Sequence, residues 1–217
     1  MKGALLARGP WQPAEVECRW REEVYEPEPR LIEAADEAIG ALRERGSPAH
    51  DGLAARLAGY EESSAGRLVV ELQPARWALR LVHDPEPAML ASLCVVRDTA
   101  GRWLAGRRAG WVATWAGRWA LGAGGAVDLG ETPVDTLWRE LREEWSVEPE
   151  RLSVAALGRV PTGLVLLIGL ATLPEGAEPV PDAEHDEMAW WPPQVADWPA
   201  EADEPLRAMA NLLSELD

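Results

Sequence analysis

Three segments of the chain carry apolar residues at the spacing of an amphipathic helix. The first is predicted over Pro29–Arg45, because Gly46 and Pro48 follow directly and would end it. Its apolar positions are Leu31, Ile32, Ala35, Ile39 and Leu42. The second helix is predicted to begin at Pro133, and the third to cover Glu204–Leu216.

Short apolar runs separated by glycine, proline or turn residues predict β-strands around the central helix. The predicted strands are Leu53–Tyr60, Arg67–Leu72, Met89–Val96, Arg102–Ala109, Arg118–Val127, Leu152–Val160 and Leu164–Leu173. The segment 187–191, with the sequence EMAWW, also has a strand-like pattern. Strands on both sides of the helix at Pro133, with a last helix closing the chain, predict an α/β sandwich.

The texture of the chain changes near residue 85. The stretch His83–Pro87, with the sequence HDPEP, is the best linker candidate because its prolines discourage regular structure. We therefore expect a small N-terminal α+β extension over residues 1–85 and a second domain over residues 86–217. The extension is expected to serve in substrate recognition or in dimerisation, so a homodimer is one expected assembly.

Composition narrows the range of partners. The chain has 217 residues and is 47% hydrophobic, which suffices for a packed core. Its net charge of −16 argues against binding to nucleic acid or to an anionic membrane surface. The longest apolar run, Gly163–Leu173, is far shorter than the roughly 20 residues of a membrane-spanning helix. The N-terminal apolar run is too short for a secretion signal, and Cys18 and Cys94 do not make a disulfide framework. We expect a soluble, cytoplasmic protein with a small-molecule partner.

The predicted central helix carries an acidic stripe. Thr132 is a suitable N-cap before Pro133. The apolar face consists of Val134, Leu137, Trp138, Leu141 and Trp145. Glu140, Glu143 and Glu144 cluster at the edge of that face on a wheel of about 100° per residue. A solvated surface and a cation site both remain open, although a solvated face would more often lie opposite the apolar one and alternate with basic residues.

A glycine-rich segment, Gly122–Glu131, leads into this helix with the sequence GAGGAVDLGE. Glycines permit close approach of a backbone to other groups. A carbonyl from such a segment together with several carboxylates makes an all-oxygen environment, which suits Mg²⁺ or Mn²⁺ better than Zn²⁺. The two features together favour a site for one of these ions.

The same stretch resembles the Nudix box, in which glycine, glutamate, an Arg-Glu pair, an aliphatic residue, a Glu-Glu pair, glycine and an aliphatic residue follow at fixed spacing. The corresponding positions are Gly125, Glu131, Arg139, Glu140, Leu141, Glu143, Glu144, Ser146 and Val147. Only Ser146 departs from the pattern, where the family has glycine. In the left-handed conformation expected after a helix, serine costs on the order of 1 kcal/mol. The resemblance implies a Nudix-type α/β/α sandwich with a mixed sheet.

The resemblance also implies a reaction and a set of metal ligands. Nudix hydrolases cleave the pyrophosphate bond in a nucleoside diphosphate linked to another group. Glu140, Glu143 and Glu144 would ligate Mg²⁺ or Mn²⁺, and the backbone carbonyl of Gly124 would be a further ligand. One of the three carboxylates would accept a proton from the attacking water.

Supporting roles are implied for further residues of the box. Arg139 would pair with Glu131 and hold the glycine-rich loop against the helix. The predicted catalytic set is therefore Glu131, Arg139, Glu143 and Glu144.

Substrate contacts are predicted from outside the box. Arg107 and Arg108 alternate along a strand, so only one of them can point toward the site, and for each a phosphate contact and a surface role both remain open. The family often adds an acid from a later loop, where Glu184, Asp186 and Glu187 are available. Glu184 is preferred because it is farthest from the strand-like EMAWW segment, with a solvated acidic loop as the alternative.

Aromatic residues near the predicted site have simpler explanations than substrate binding. Trp103, Trp111, Trp115 and Trp119 would suit stacking against a base, but strand packing is expected to explain most of them. His185 is expected to be a loop residue and not a catalyst.

The N-terminal region offers one indication of the substrate. The stretch His50–Glu61, HDGLAARLAGYE, resembles a segment that precedes the Nudix domain in UDP-sugar diphosphatases. This resemblance favours nucleotide sugars such as UDP-glucose, with ADP-ribose or another nucleoside diphosphate derivative as the alternative. A non-catalytic nucleotide-binding Nudix module would be expected to lose the box carboxylates, and all three are present. An isopentenyl diphosphate isomerase-like enzyme needs a cysteine with a supporting motif, which Cys94 lacks.

Overall fold

The computed structural model describes residues 3–47 and 51–215. Pro48, His50 and Leu216, to which the sequence predictions refer, lie outside the described residues. The helices are α1 (Pro29–Glu44), α2 (Pro133–Trp145) and α3 (Glu204–Ser214). The strands are β1 (Ala4–Trp11), β2 (Val16–Trp20), β3 (Leu53–Glu62), β4 (Leu68–Arg76), β5 (Leu90–Arg97), β6 (Trp103–Arg108), β7 (Trp119–Leu121), β8 (Ala123–Ala126), β9 (Arg151–Arg159), β10 (Val165–Thr172) and β11 (His185–Trp191).

A mixed sheet of eight strands forms the centre of the molecule. Its main path runs in the order β1-β9-β10-β5-β6-β11, with β7 paired to β6 and β8 paired to β5. Strands β5 and β10 are parallel, and the other pairs are antiparallel. The short strand β8 therefore lies beside β5 and leads directly toward α2.

Helices cover both faces of this sheet because each buries one apolar stripe. On one face, Leu137, Leu141 and Trp145 of α2 pack in a cluster with residues of β5, β6, β9 and β10. On the other face, Leu206, Ala210 and Leu213 of α3 pack in a second cluster with a different set of residues from the same sheet. This arrangement is the α/β/α sandwich with a mixed sheet, so the predicted fold class is confirmed.

A smaller sheet lies against the first and brings the N-terminal region close to the acidic helix. Its order is β2-β4-β3, with β2 and β4 parallel and β3 and β4 antiparallel. Two backbone hydrogen bonds join β3 to the large sheet, from Ala55 N–H to the Val127 carbonyl at 2.8 Å and from Leu57 N–H to the Ala88 carbonyl at 2.9 Å. Helix α1 packs on a 3-10 turn at residues 77–81 through a third apolar cluster.

The helices agree with their predicted spans to within a residue or two, but parts of the strand prediction were wrong. The predicted strand Arg118–Val127 is two strands, β7 and β8, because Gly122 turns the chain between them with φ 60°. A Cβ at this glycine would lie 1.8 Å from the Cys94 carbonyl oxygen, so the break depends on glycine. Strands β1 and β2 were not predicted, and β1 adds to the edge of the large sheet through β9.

The predicted linker has no regular structure, and the helices lack membrane-spanning character. Residues 83–87 contain no helix or strand, as the prolines predicted. Among the described residues, no helix has the length and apolar character that a membrane crossing would require.

Candidate active site

The local sequence around α2 fixes where the helix begins and ends. Thr132 caps the N-terminus by accepting a hydrogen bond from Asp135 N–H at 3.1 Å, and the Asp135 carboxylate in turn accepts one from Thr132 N–H at 3.2 Å. At the other end Ser146 adopts φ 55° and ψ 35°, the left-handed conformation that the box glycine predicted. Val147 N–H then donates to the Leu141 carbonyl at 3.4 Å and closes the helix. Serine at this position strains the helix end but leaves its geometry intact.

The acidic stripe lies at the edge of the apolar face, as the helical wheel predicted. Glu140 is 8% exposed and Glu144 is 4% exposed, whereas the Glu143 side chain is 59% exposed. Burial raises the pKa of Glu140 to about 7, because it outweighs the favourable charge of Arg139. Burial likewise raises the pKa of Glu144 to about 8, against the opposing effect of Arg108. Two of the three carboxylates are therefore removed from water, unlike a solvated acidic face.

The glycine-rich strand β8 is built around one of these carboxylates. A Cβ at Gly125 would lie 2.0 Å from Glu140 Oε1, so the carboxylate occupies the space that any side chain would need. Gly124 is the neighbouring residue of β8 and pairs with Leu93 of β5. The predicted metal ligand Gly124 thus lies on the strand that contacts the acidic helix. Its role as a ligand remains a prediction.

Arg139 connects the loop before α2 to the acidic stripe. It donates to both carboxylate oxygens of Glu131, from Nε at 2.8 Å and from Nη2 at 3.0 Å, as predicted. Its Nη1 donates to Glu140 at 2.7 Å and to Glu143 at 3.0 Å, and its Nη2 also reaches the Ala126 carbonyl at 3.1 Å. Burial alone would raise the pKa of Glu131, but the hydrogen bonds from Arg139 and Thr136 lower it.

The two arginines of β6 point in different directions, as strand alternation predicted. Arg108 donates to Glu144 at 3.1 Å and to Glu184 at 2.7 Å. Arg107 instead pairs with Glu187 on the neighbouring strand β11. The structure therefore brings Arg108 and Glu184 to the acidic stripe and places Arg107 in a different cross-strand pair. The phosphate contacts predicted for both arginines remain predictions.

The prediction that His185 is a loop residue was wrong. His185 is the first residue of β11, is buried, and packs against Trp145 with ring centroids 4.5 Å apart and ring planes inclined by 37°. The absence of a side chain at Gly106 makes this possible, since a Cβ there would lie 2.4 Å from the imidazole. Asp182, which the sequence reasoning also missed, contacts His185 Nδ1 at 3.3 Å. Burial, together with the charge of Arg108, lowers the pKa of His185.

The chemistry of this cluster fits a cation. Glu144 Oε2 is a buried carboxylate oxygen with no hydrogen-bond partner in the described part of the chain, and the nearest histidine nitrogen, His185 Nε2, lies 3.8 Å away. Arg108 pairs with the other oxygen of Glu144, so a cation bound at Oε2 would complete the coordination of this buried carboxylate. The donors are all oxygens, which is the preference of Mg²⁺ and Mn²⁺. Within residues 3–47 and 51–215, no three acidic, histidine or cysteine side chains converge closely enough to hold a metal ion, and Arg139 and Arg108 occupy hydrogen-bonding positions on the carboxylates.

The four tryptophans considered above as stacking residues divide into two pairs. Trp103 is fully buried, and Trp119 packs against the apolar cluster on the α3 side. Trp111 and Trp115 lie outside the strands, in the connection between β6 and β7, and are exposed. Strand packing therefore explains only the first pair.

Comparison with known proteins identifies the family. A sequence model of the NUDIX domain matches residues 87–212, which is more than half of the chain. The chain belongs to the Nudix family and is a Nudix pyrophosphohydrolase. Nudix hydrolases in general act on small nucleotide substrates with the help of divalent metal ions.

Solved structures that match part of this chain include the following three. A MutT protein from Methanosarcina mazei is 20% identical over 59% of this chain and 92% of its own, with a TM-score of 0.43. A C. elegans Ap4A hydrolase, solved as a binary complex, is 21% identical over 58% of this chain and 93% of its own, with a TM-score of 0.45. The NUDIX domain of Shewanella oneidensis NrtR, solved with ADP ribose, is 23% identical over 57% of this chain and 86% of its own, with a TM-score of 0.45. Among curated protein sequences, none matches this chain significantly.

Proposed function

We propose that this protein hydrolyses the pyrophosphate bond of a nucleotide sugar such as UDP-glucose in the presence of Mg²⁺ or Mn²⁺. The observation that carries the proposal is the burial of Glu140, which lies against Gly125, and of Glu144, one oxygen of which has no hydrogen-bond partner among the described residues. Glutamates that served only to solvate the surface would not be held in this way.

The proposed metal ligands are Glu140, Glu143 and Glu144, with the Gly124 carbonyl as a further oxygen. A bound divalent cation would neutralise negative charge on the phosphates and make water more acidic. Arg139 lies between Glu140 and Glu143, so these carboxylates must partly exchange their hydrogen bonds with Arg139 for the cation. Arg139 stays attached to the loop through Glu131 while this happens, because that pair has two separate hydrogen bonds.

The proposed reaction is a direct hydrolysis. Water attacks one phosphorus atom, the bond from that phosphorus to the bridging oxygen breaks, and the products are a nucleoside monophosphate and a phosphorylated sugar. One carboxylate accepts the proton of the water. Glu144 is a candidate for this role, because it is buried among the carboxylates of the stripe. Glu143, more exposed at the mouth of the stripe, is the alternative base.

Arg108 and Glu184 are proposed to act together at the edge of the site. Arg108 donates to Glu144 and Glu184 at the same time, so contact with a substrate phosphate would require it to exchange one of these hydrogen bonds for the phosphate. Glu184 is proposed as the acid from outside the box, and its hydrogen bond from Arg108, which also holds Glu144, supports this choice. Arg107 contributes through its pair with Glu187, which supports β6 beside β11.

The preference for nucleotide sugars is supported by the N-terminal region. Asp51 and Gly52 directly precede β3, which forms an antiparallel pair with β4. They belong to the stretch that resembles UDP-sugar diphosphatases, in which an Asn-Gly or Asp-Gly likewise opens a strand pair. Asp51 also holds Arg76 at the end of β4, with contacts of 2.5–3.1 Å. We propose that residues 1–85 act in substrate recognition, and that residues 86–217 carry the catalytic groups.

A substrate panel tests the proposal. UDP-glucose, ADP-glucose, ADP-ribose, a dinucleoside polyphosphate and a nucleoside triphosphate would each be incubated with Mg²⁺, Mn²⁺ or EDTA, and the products separated by chromatography. The proposal expects UMP and glucose 1-phosphate from UDP-glucose, formed only with a metal ion. Faster cleavage of ADP-ribose than of UDP-glucose would contradict the proposed preference for UDP-glucose and favour ADP-ribose as the substrate. Cation binding without cleavage of any compound would contradict the proposed hydrolysis.

A further inference from the structure

Arg80 belongs to the N-terminal region, but the turn that carries it contributes buried residues to the apolar cluster against which Ala126 of β8 packs. It is part of the 3-10 turn at residues 77–81, between β4 and β5. The turn is firmly anchored, because Trp77 N–H donates to the Gly52 carbonyl at 2.8 Å and the next amide donates to the Asp51 carboxylate at 3.3 Å. The first three residues of the turn are buried. The arginine therefore projects from a fixed base and not from a loose loop.

The guanidinium of Arg80 has no hydrogen-bond acceptor within residues 3–47 and 51–215, and its Nε is buried. The guanidinium carbon of Arg80 lies 5.2 Å from the centroid of the Trp77 ring. Arginine remains charged in practice even where burial lowers its pKa, as it does here. The Arg80 side chain is partly exposed, but its buried Nε has no acceptor among the described residues, so a bound anion could supply one.

The charges around Arg80 belong to the proposed active site. Arg80 interacts electrostatically with Glu140 and Glu184, which favour its charge, and with Arg108, which opposes it. The other two arginines of this cluster are already engaged, Arg108 with Glu144 and Glu184 and Arg139 with three carboxylates. Arg80 alone among the three keeps its donors available.

We propose that Arg80 is a substrate-binding residue that grips the non-bridging oxygens of the diphosphate group. The inference rests on the proposed function, because it takes the diphosphate of that substrate as the anion. A planar guanidinium can donate two parallel hydrogen bonds to a phosphate, which a point charge such as lysine cannot do. The N-terminal region would in this way supply a direct contact to the reacting group, and a fragment without it would bind substrate poorly.

A simpler role for Arg80 makes a different prediction. If the arginine only offsets the charge of Glu140 and Glu184, its removal should tighten binding of Mg²⁺ and leave the affinity for a diphosphate unchanged. If it binds the diphosphate, its removal should weaken the diphosphate affinity first. The two roles therefore differ in a binding measurement that needs no turnover.

The test compares Arg80→Gln and Arg80→Lys with the full-length wild-type protein. Calorimetry would measure Mg²⁺ alone, and then α,β-methylene-ADP in Mg²⁺, a diphosphate that cannot be hydrolysed at the bridge. Arg67→Gln serves as the control, since it removes an exposed arginine of the same region that contacts Glu17 across the small sheet. Thermal melts would show that each variant is folded, and Arg80→Lys retains the charge if Arg80→Gln does not fold.

We expect Arg80→Gln to weaken binding of the analogue by about tenfold or more, a loss typical of one charged hydrogen-bonding group. Arg80→Lys should fall between this variant and the wild type, and Arg67→Gln should match the wild type. With a cleaved substrate, KM should rise by a similar factor while kcat changes less. Unchanged analogue affinity in Arg80→Gln, or no binding by the wild type, would overturn the inference. Cleavage of a nucleotide sugar by the wild-type protein is a separate measurement. If cleavage is seen, the proposed function stands whatever the binding results are. If no compound is cleaved but Arg80→Gln weakens analogue binding, the proposed hydrolysis fails and the role of Arg80 in binding a diphosphate stands.

Discussion

The contact between Gly125 and Glu140 gives the sharpest prediction about the site. In a Gly125→Ala variant the new Cβ would lie 2.0 Å from Glu140 Oε1, while Cβ contacts below 3.0 Å are essentially never seen in proteins. The carboxylate must therefore retreat by about 1 Å or more. Because it is the end of a flexible side chain, it can move without breaking the backbone of β8 or α2. We expect the variant to fold and its site to be misplaced.

The size of the effect follows from the displacement of Glu140. A carboxylate that ligates the cation in the active state would be moved by about 1 Å or more from its place, and a misplacement of 1 Å costs on the order of 100-fold in rate. We therefore expect kcat/KM to fall by roughly 100-fold. The melting temperature should fall by only a few degrees, since 1 kcal/mol corresponds to about 2–4 °C in a protein of this size.

Two other glycines make matched controls for this variant. Gly40→Ala in α1 meets no atom within 4 Å, so it should keep full activity and gain about 0.5–1 kcal/mol of stability. Gly122→Ala would place its Cβ 1.8 Å from the Cys94 carbonyl oxygen at a residue with positive φ, so it should fail to fold. The assay is steady-state hydrolysis together with calorimetric titration of Mg²⁺. Wild-type kcat/KM and Mg²⁺ affinity in Gly125→Ala would refute the proposed placement of Glu140.

Two further predictions concern the end of α2 and the buried acids. Ser146→Gly should raise the melting temperature by a few degrees with kcat unchanged, because it relieves about 1 kcal/mol of left-handed strain; a lower melting temperature would show that the serine is not strained. Glu140 and Glu144 have pKa values of about 7 and about 8 in the folded protein, above the ordinary value of 4.5. The folded protein therefore holds their protons more tightly than the unfolded chain does. Their contribution to stability is complete below pH 4.5 and is lost as the pH rises through 7 and 8. Without metal, the free energy of unfolding should therefore fall between about pH 5 and pH 8, and Mg²⁺ should raise the melting temperature more at pH 8.5 than at pH 6. An equal Mg²⁺ effect at both pH values, measured by thermal melts, would contradict the role of these two carboxylates.

The central helix and the contacts around it were accessible from the sequence because they depend on neighbouring residues. The cap at Thr132, the left-handed Ser146 and the pairing of Arg139 with Glu131 are all local consequences of the box and of helix geometry. The alternation of Arg107 and Arg108 was likewise a property of a single strand.

Features that depend on distant contacts were missed. The break at Gly122 is imposed by the Cys94 carbonyl on a neighbouring strand, which no pattern within the glycine-rich stretch reveals. Strand β1 is recruited through pairing with β9, far away in sequence. The burial of His185 depends on the missing side chain of Gly106 and on Trp145, so its local sequence alone gave the wrong answer. No local motif marks Arg80 in the sequence, and its proposed role depends on its electrostatic interaction with Glu140 and Glu184, which lie far away in the chain.

The most direct test of the account is metal-dependent hydrolysis of UDP-glucose by the wild type, Glu143→Gln, Glu144→Gln and Glu148→Gln, with products separated by chromatography. Glu148 is an exposed acid just beyond the helix end, so its variant controls for loss of one negative charge. The account predicts metal-dependent release of UMP by the wild type and by Glu148→Gln, and loss of most activity in the other two variants while both remain folded by thermal melt. Near-wild-type turnover in both Glu143→Gln and Glu144→Gln would contradict the assignment of this acidic helix as the catalytic site.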